Sequence, residues 1–352
     1  MADSSKNRIS AAPLISRGLP AFSGSSANAS PANDGDYSTF WESSVPDFIA
    51  YDLSEVPPAL RQNVIAVWYN KSTYFPIGSY LARDMIPLDY MIETNSAPGG
   101  QCPQSGWKTA VTINDNPYSS RQHILDLSGY NWIRLNILTV SGQTNGRVSL
   151  VFDVHSITGS TPDSWLFLGD SITACGMNNC YGTGFASFVN RVDKRFFTIQ
   201  ENGGIGGTTS ADGRKYIGRW LADSPASFVS IAYGTNDIWG KLISPGQYHS
   251  NLRFMIESVL AHGKSPVLPK IPFAADPAVG RRLPAYNAVI DALWDEFSDK
   301  LIKGPDFEAY FRDHTSQLSD SVHPTPEGYE AMRRIWAETM YERVYRQNMG
   351  KD

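Results

Sequence analysis

The feature that most constrains this chain is a change of hydrophobic pattern near residue 160. Before it, the sequence breaks into short segments rich in aromatic and β-branched residues, at 48–53, 64–69, 88–93, 107–113, 122–127, 132–138 and 147–155. Turn clusters such as Ser96-Ala-Pro-Gly-Gly and Asn114-Asp-Asn-Pro separate them. Seven or eight short strands at this spacing predict an all-β sandwich or jelly roll. After Ile157-Thr-Gly-Ser-Thr-Pro-Asp the pattern becomes an alternation. Strands are expected at 165–168, 196–200, 228–233, 266–271 and 306–310, and helices at 184–195, 210–222, 245–262, 284–299 and 326–345. Apolar strands between amphipathic helices are the mark of βαβ units, whose parallel sheet is covered on both faces.

The 352 residues also predict about two domains, at roughly 100–200 residues each. Residues 1–33 are rich in Ser, Ala, Asn and Pro and read as a poorly ordered lead-in. The expected division is a flexible tail over 1–21, a β-sandwich jelly roll over 22–158 and an α/β domain over 159–352. A net charge of −5 argues against a nucleic-acid partner and against a polybasic membrane anchor. Hydrophobic residues at 41% exclude disorder. No apolar run approaches the roughly 18 residues of a membrane span. Met1-Ala-Asp-Ser-Ser-Lys has no apolar core, so no secretory signal is read there. That leaves a cytoplasmic chain, or a secreted or periplasmic mature form whose signal was removed. Cys175 and Cys180 either pair or remain thiols, and Cys102 reads as free. Asn28-Ala-Ser and Asn70-Lys-Ser match glycosylation sequons.

In an open α/β sheet, ligands bind beyond the carboxyl ends of the strands. The polar residues expected there form a coherent set. After the first strand comes Gly169-Asp170-Ser171-Ile172-Thr173, a serine at a strand-to-helix turn. It is either a helix N-cap or a nucleophile awaiting a base. After the second comes Asn202-Gly-Gly-Ile-Gly-Gly207, whose glycines expose backbone N–H groups; it lacks the spacing and position of a dinucleotide loop. After the third comes Gly234-Thr-Asn236-Asp237, where an asparagine amide can meet a developing oxyanion. Before the last helix comes Asp320-Ser-Val-His323-Pro. Of six histidines, His323 alone has a carboxylate three residues upstream in a proline-bounded loop. That spacing lets Asp320 fix one ring nitrogen and leave the other free as a base. Together these supply nucleophile, base, orienter and oxyanion donors, the parts list of acyl transfer.

In these four blocks, in this order, residues 165–345 resemble the SGNH, or GDSL, hydrolase superfamily. The resemblance implies a three-layer α/β/α domain on a five-stranded parallel sheet. It implies Ser171 as nucleophile, His323 as base, Asp320 as its orienter, and an oxyanion hole from the N–H groups of Ser171 and Gly207 and the Asn236 side chain. Candidates for substrate contact are Asp170, Tyr233, Trp239 and Phe273. Tyr233 stands where many relatives carry glycine, a departure expected to narrow the acyl pocket. The N-terminal half is more weakly similar to galactose-binding-like jelly rolls of the discoidin type, through Asn33-Asp-Gly-Asp36-Tyr-Ser-Thr-Phe-Trp41, Ala50-Tyr-Asp-Leu53 and Tyr130-Asn-Trp-Ile-Arg134. Such domains often bind sugars and sometimes hold a structural calcium, for which Asp34 and Asp36 are the candidates; the competing assignment is a surface turn. No other cofactor or metal is expected. The combination implies an esterase that removes short acyl groups, acetyl foremost, from a polysaccharide or a small carbohydrate ester. The rivals are a lipolytic or thioesterase member acting on longer chains, and an inactive carbohydrate-binding protein.

Overall fold

A computed structural model describes residues 9–25, 27–71, 85–142, 146–157, 159, 161–177, 184–240 and 243–346. Two compact units divide between Pro162 and Asp163.

Among the described residues the first unit has nine strands: β1 (Ala21–Ser23), β2 (Trp41–Ser44), β3 (Asp47–Asp52), β4 (Asn63–Asn70), β5 (Pro87–Asn95), β6 (Lys108–Ile113), β7 (Ser120–Asp126), β8 (Trp132–Val140) and β9 (Arg147–Ser156). They form two antiparallel sheets, ordered β1-β3-β8-β5-β6 and β2-β9-β4-β7. Large aromatics close the space between the sheets. Tyr51 of β3 stacks on Phe152 of β9 and donates its hydroxyl to the Phe152 carbonyl at 2.7 Å. Trp68 of β4 meets Tyr90 of β5 edge-on, and the Tyr90 hydroxyl lies 2.8 Å from His123 Nε2. Burial holds the His123 ring down to about 3, with Arg121 adding to the effect, so this histidine is a neutral core residue at ordinary pH.

One expectation fails here. Residues 10–21 are not a free tail. β2 pairs with β9 only as far as Leu150, which leaves the rest of that edge of β9 open. The segment before β1 fills it: Leu14 bridges His155, Ile15 N–H donates to the Val154 carbonyl at 2.8 Å, and Val154 N–H donates to Ser16 Oγ at 2.9 Å. An open edge would strand backbone donors and acceptors, and this segment supplies their partners. The candidate calcium carboxylates are engaged in a turn. Asp34 accepts from Asp36 N–H and the Thr39 hydroxyl, and Asp36 accepts from Ser38. Those Ser38 bonds hold the Asp36 carboxyl below its usual range. Among the described residues no group of three or more His, Cys, Asp or Glu side chains is placed to hold a metal. Cys180 and Ser72 lie outside the described residues, and with them the question of a Cys175–Cys180 bridge and the end of the second sequon.

The second unit opens with β10 (Ser164–Gly169), followed by α1 (Ser171–Gly176), α2 (Phe185–Val192), β11 (Ile199–Gly204), α3 (Ser210–Asp223), β12 (Phe228–Ala232), α4 (Thr235–Trp239) and α5 (Pro245–Ala261). It continues through β13 (Ser265–Leu268), α6 (Pro277–Gly280), α7 (Leu283–Phe297), β14 (Ile302–Lys303), α8 (Phe307–Asp313) and α9 (Pro326–Met340). The five strands are all parallel, in the order β11-β10-β12-β13-β14. Helices α3, α5 and α7 pack side by side, as do α1, α2 and α9, giving an α/β/α sandwich. On one face Phe167 of β10 meets Phe185 of α2 and Trp336 of α9 edge-on.

Two elements differ from the sequence reading. The second strand lies at Ile199–Gly204 rather than 196–200, so Asn202, Gly203 and Gly204 are part of the sheet. A side chain at 204 is impossible, since a Cβ there would sit 2.1 Å from the Ala174 backbone nitrogen. The glycine lets α1 lie directly against the strand. The segment 306–310 is not the fifth strand. Asp306 accepts from Ala309 N–H at 3.0 Å and caps α8 instead, while the fifth strand is the two-residue β14.

Candidate active site

In the strand order β11-β10-β12 the chain steps to one side of β10 for β11 and crosses to the other side for β12, so the strand order reverses at β10. In such sheets the crevice at the reversal, beyond the carboxyl ends, is where ligands bind. Ser171 follows β10, Gly207 follows β11 and Asn236 follows β12, so all three loops open at that crevice.

Asp170 caps α1: its Oδ1 accepts from Ile172 N–H at 2.9 Å, which fixes Ser171 as the first helical residue. Asp170 is itself only 3% exposed. Burial pushes its carboxyl up to about 7, against the opposing pull of the Ile172 N–H and the nearby His323. Its carboxylate is therefore spent on the helix start.

His323 arrives from the loop before α9. There Asp320 uses its two oxygens differently. Oδ1 accepts the backbone N–H groups of Val322, at 3.1 Å, and His323, at 2.7 Å, and so folds the loop. Oδ2 lies 2.8 Å from His323 Nδ1. The carboxylate acts only as an acceptor, so the network assigns the proton to Nδ1 and leaves Nε2 with its lone pair. Ser171 Oγ lies 2.8 Å from that Nε2. Desolvation raises the Asp320 carboxyl, but the hydrogen bonds from His323 and Val322 outweigh it and hold the group below its usual range. Asp320 is 54% exposed at the side chain, so this pair is wetter than a fully buried orienter. The neighbouring His314, by contrast, stacks on Tyr310 and is turned to the Tyr310 carbonyl.

The glycine turn hangs from the strand that leads to the serine. The Gly169 carbonyl accepts Ile205 N–H at 3.0 Å and the Thr208 hydroxyl at 3.3 Å. Gly207 takes a left-handed conformation, φ 74°. Asn236 Nδ2 donates to the Thr208 carbonyl at 3.0 Å, which ties the third loop to the second and leaves the other amide hydrogen without a partner among the described residues. Among the described residues neither Ser171 N–H nor Gly207 N–H is used in a hydrogen bond. Gly234 turns the chain into Asn236 at φ 142°; a Cβ there would meet Ile271 Cδ1 at 2.3 Å.

The remaining candidates divide. Tyr233 is 4% exposed, with its ring over Gly213 of α3 and beside Met255 of α5, so it packs in the core. Its carbonyl accepts the Tyr248 hydroxyl at 2.7 Å. Trp239 ends α4 and is 44% exposed. Phe273 is partly exposed in the loop after β13. Sequence reasoning missed Thr208 and Ser210. The Thr-Thr-Ser run after the glycines was the available signal.

A serine bonded to a histidine that is in turn bonded to a carboxylate, beside unspent N–H donors, defines the class: an α/β/α domain with the constellation of a serine hydrolase. Residues 167–331 match the GDSL-like Lipase/Acylhydrolase family, and this part of the chain is a GDSL, or SGNH, hydrolase domain. No curated protein matches the chain. Solved structures do. A variant of an acetyl xylan esterase from Geobacillus stearothermophilus is 25% identical over 52% of this chain and 97% of its own, with a TM-score of 0.43. The Bacillus subtilis protein YXIM is 17% identical over 86% of this chain and 81% of its own, with a TM-score of 0.47. A GDSL-like lipase from Bacteroides thetaiotaomicron is 20% identical over 51% of this chain and 88% of its own, with a TM-score of 0.41.

Proposed function

We propose that this protein hydrolyses short acyl esters, acetyl esters foremost, on a carbohydrate, through an acyl-Ser171 intermediate. The observation that carries the reading is the continuous relay Ser171 Oγ, His323 Nε2, His323 Nδ1, Asp320 Oδ2, with 2.8 Å at each link. His323 takes the Ser171 proton as Oγ attacks the ester carbonyl. Asp320 holds the imidazole and stabilises the imidazolium that forms. Ser171 N–H, Gly207 N–H and the unspent Asn236 amide hydrogen receive the oxyanion. His323 then protonates the leaving alcohol, and water repeats the sequence on the acyl-enzyme. No step needs a metal.

One feature supports the finer substrate. The exposed Trp239 indole stands three residues beyond Asn236, a face on which a sugar ring can stack.

The test is a release assay on acetylated xylan, glucomannan and pectin beside aryl esters of two to twelve carbons. Fastest turnover of acetyl substrates is expected. A rate that climbs with chain length would instead favour the lipolytic or thioesterase reading. An intact wild-type protein that fails to label with a serine-directed fluorophosphonate would favour an inactive carbohydrate-binding role.

A further inference from the structure

We propose that Asp237 is a positioning residue for the oxyanion donors, clamping the turn that carries Gly207 to the turn that carries Asn236. The inference rests on the acyl-serine reading above.

Asp237 follows Asn236 directly in α4 and is completely buried. Its Oδ2 accepts Ser210 N–H at 2.9 Å, and its Oδ1 accepts the Ser210 hydroxyl. Ser210, also completely buried, stands three residues beyond Gly207. The direction of its hydroxyl follows from its other partner. Asn251 Nδ2 donates to Ser210 Oγ at 3.0 Å, which occupies a lone pair of that oxygen and aims the Ser210 proton at Asp237. Asn251 is held in turn by Gln247 Nε2, at 2.9 Å. In the opposite direction, Asn236 donates to the Thr208 carbonyl. The two turns are thus stitched both ways, by bonds that leave Asn236 and its neighbour Asp237 and end one and three residues beyond Gly207.

Helix capping alone does not explain this carboxylate. α3 has its own capping box, in which Thr209 accepts Asp212 N–H and Asp212 accepts Thr209 N–H. A carboxylate taken out of water is costly unless it is well bonded. Burial indeed raises the Asp237 carboxyl above its usual range, and the Ser210 bonds offset part of the rise. What the arrangement secures is a fixed spacing between two loops that must meet one oxyanion. A misplacement of about 1 Å near the chemistry can cost about 10²-fold in rate.

The experiment measures kcat and KM on an aryl acetate, and the inhibition constant of a short alkyl boronic acid, which mimics the tetrahedral adduct on Ser171. The variants are Asp237→Ala, Asp237→Asn and Ser210→Ala. Asp163→Asn serves as a control that loses a buried carboxylate at the far end of β10. Asp237→Ala is expected to lose roughly 10–10² in kcat with KM nearly unchanged, and to bind the boronate more weakly by a similar factor. Asp237→Asn should recover part of the loss, because its amide oxygen still accepts Ser210 N–H. Adding Asp237→Ala to Asn236→Ala should cost little more than Asn236→Ala alone, since both act through one donor set. If Asp237→Ala does not fold, Ser210→Ala, which keeps the backbone bond, should still lower kcat and boronate affinity together. A folded Asp237 or Ser210 variant with wild-type kcat, or one whose kcat falls while boronate affinity holds, overturns the clamp. A wild type that neither hydrolyses ester nor labels at Ser171 overturns the acyl-serine reading, and the clamp with it.

Discussion

Asp163 and Asp170 bracket the same strand and have opposite fates. Both are buried, and burial pushes both carboxyls up, to about 6 at Asp163 and about 7 at Asp170. At the amino end, three side chains close on Asp163: Trp165 Nε1 at 2.9 Å, the Thr198 hydroxyl at 3.0 Å and the Tyr345 hydroxyl at 2.8 Å. At the carboxyl end, Asp170 caps one helix, and around it Ser171 N–H, Gly207 N–H and one Asn236 hydrogen have no partner among the described residues. One edge of the sheet spends its polar groups on itself. The other holds them in reserve. Side chains at the carboxyl edge gather from three loops at the strand-order reversal, and that convergence makes a binding site rather than a seal.

This contrast can be broken by substitution. The largest effect is expected from Ser171→Ala, which removes the nucleophile. Turnover of an aryl acetate should fall by about 10⁶, leaving only what the oxyanion donors supply. Residual activity near wild type in the purified variant would remove Ser171 from the reaction. Next is Asn236→Ala. Loss of one oxyanion donor should lower kcat by about 10²–10³ while the thermal midpoint moves little. A variant that melts early yet turns over normally would show that the two edges do not differ as described.

The smallest effect on activity is expected from Asp163→Asn, which should leave kcat alone and act on stability. Its neutral amide cannot serve all three donors, so a loss of about 1–3 kcal/mol is expected from denaturant unfolding. The sign with pH also follows. The folded-state value of about 6 lies above the ordinary 3.8, so the folded protein holds this proton more tightly than the unfolded chain does. The resulting stabilisation is complete below about 3.8 and is lost as pH rises through about 6. In Asp163→Asn the decline of stability over that window should be shallower. An unchanged slope would mean that Asp163 titrates as it does in the unfolded chain.

The site was more legible in the sequence than the elements that carry it. Asp320 and His323 are three residues apart, and their pairing needs only one turn of loop. The four blocks could be read because each is a short run of unusual residues at a strand end. The second strand was misplaced because Phe196 and Phe197 look more strand-like than Glu201-Asn-Gly-Gly. Those polar residues lie in the sheet because partners far along the chain satisfy them: Ser224 for Glu201, and the Ala174 carbonyl for Asn202. The place of Tyr233 beside the third block says nothing of its packing, which depends on α3, where Gly213 leaves the space its ring fills.

The sequence by itself determined what is local. It specified two regions of different periodicity, the residue types at the strand ends, and the Asp320–His323 turn, because short-range spacing and backbone geometry govern all of these. Tertiary structure decided what depends on strand order. The Ser171–His323 bond closes over 152 residues and the Asp237–Ser210 bond over 27. Distances across such separations are set by which strands lie side by side. Tertiary structure also decided which donors were consumed in folding and which were left for a substrate, since a hydrogen bond is spent only when packing brings its partner within reach.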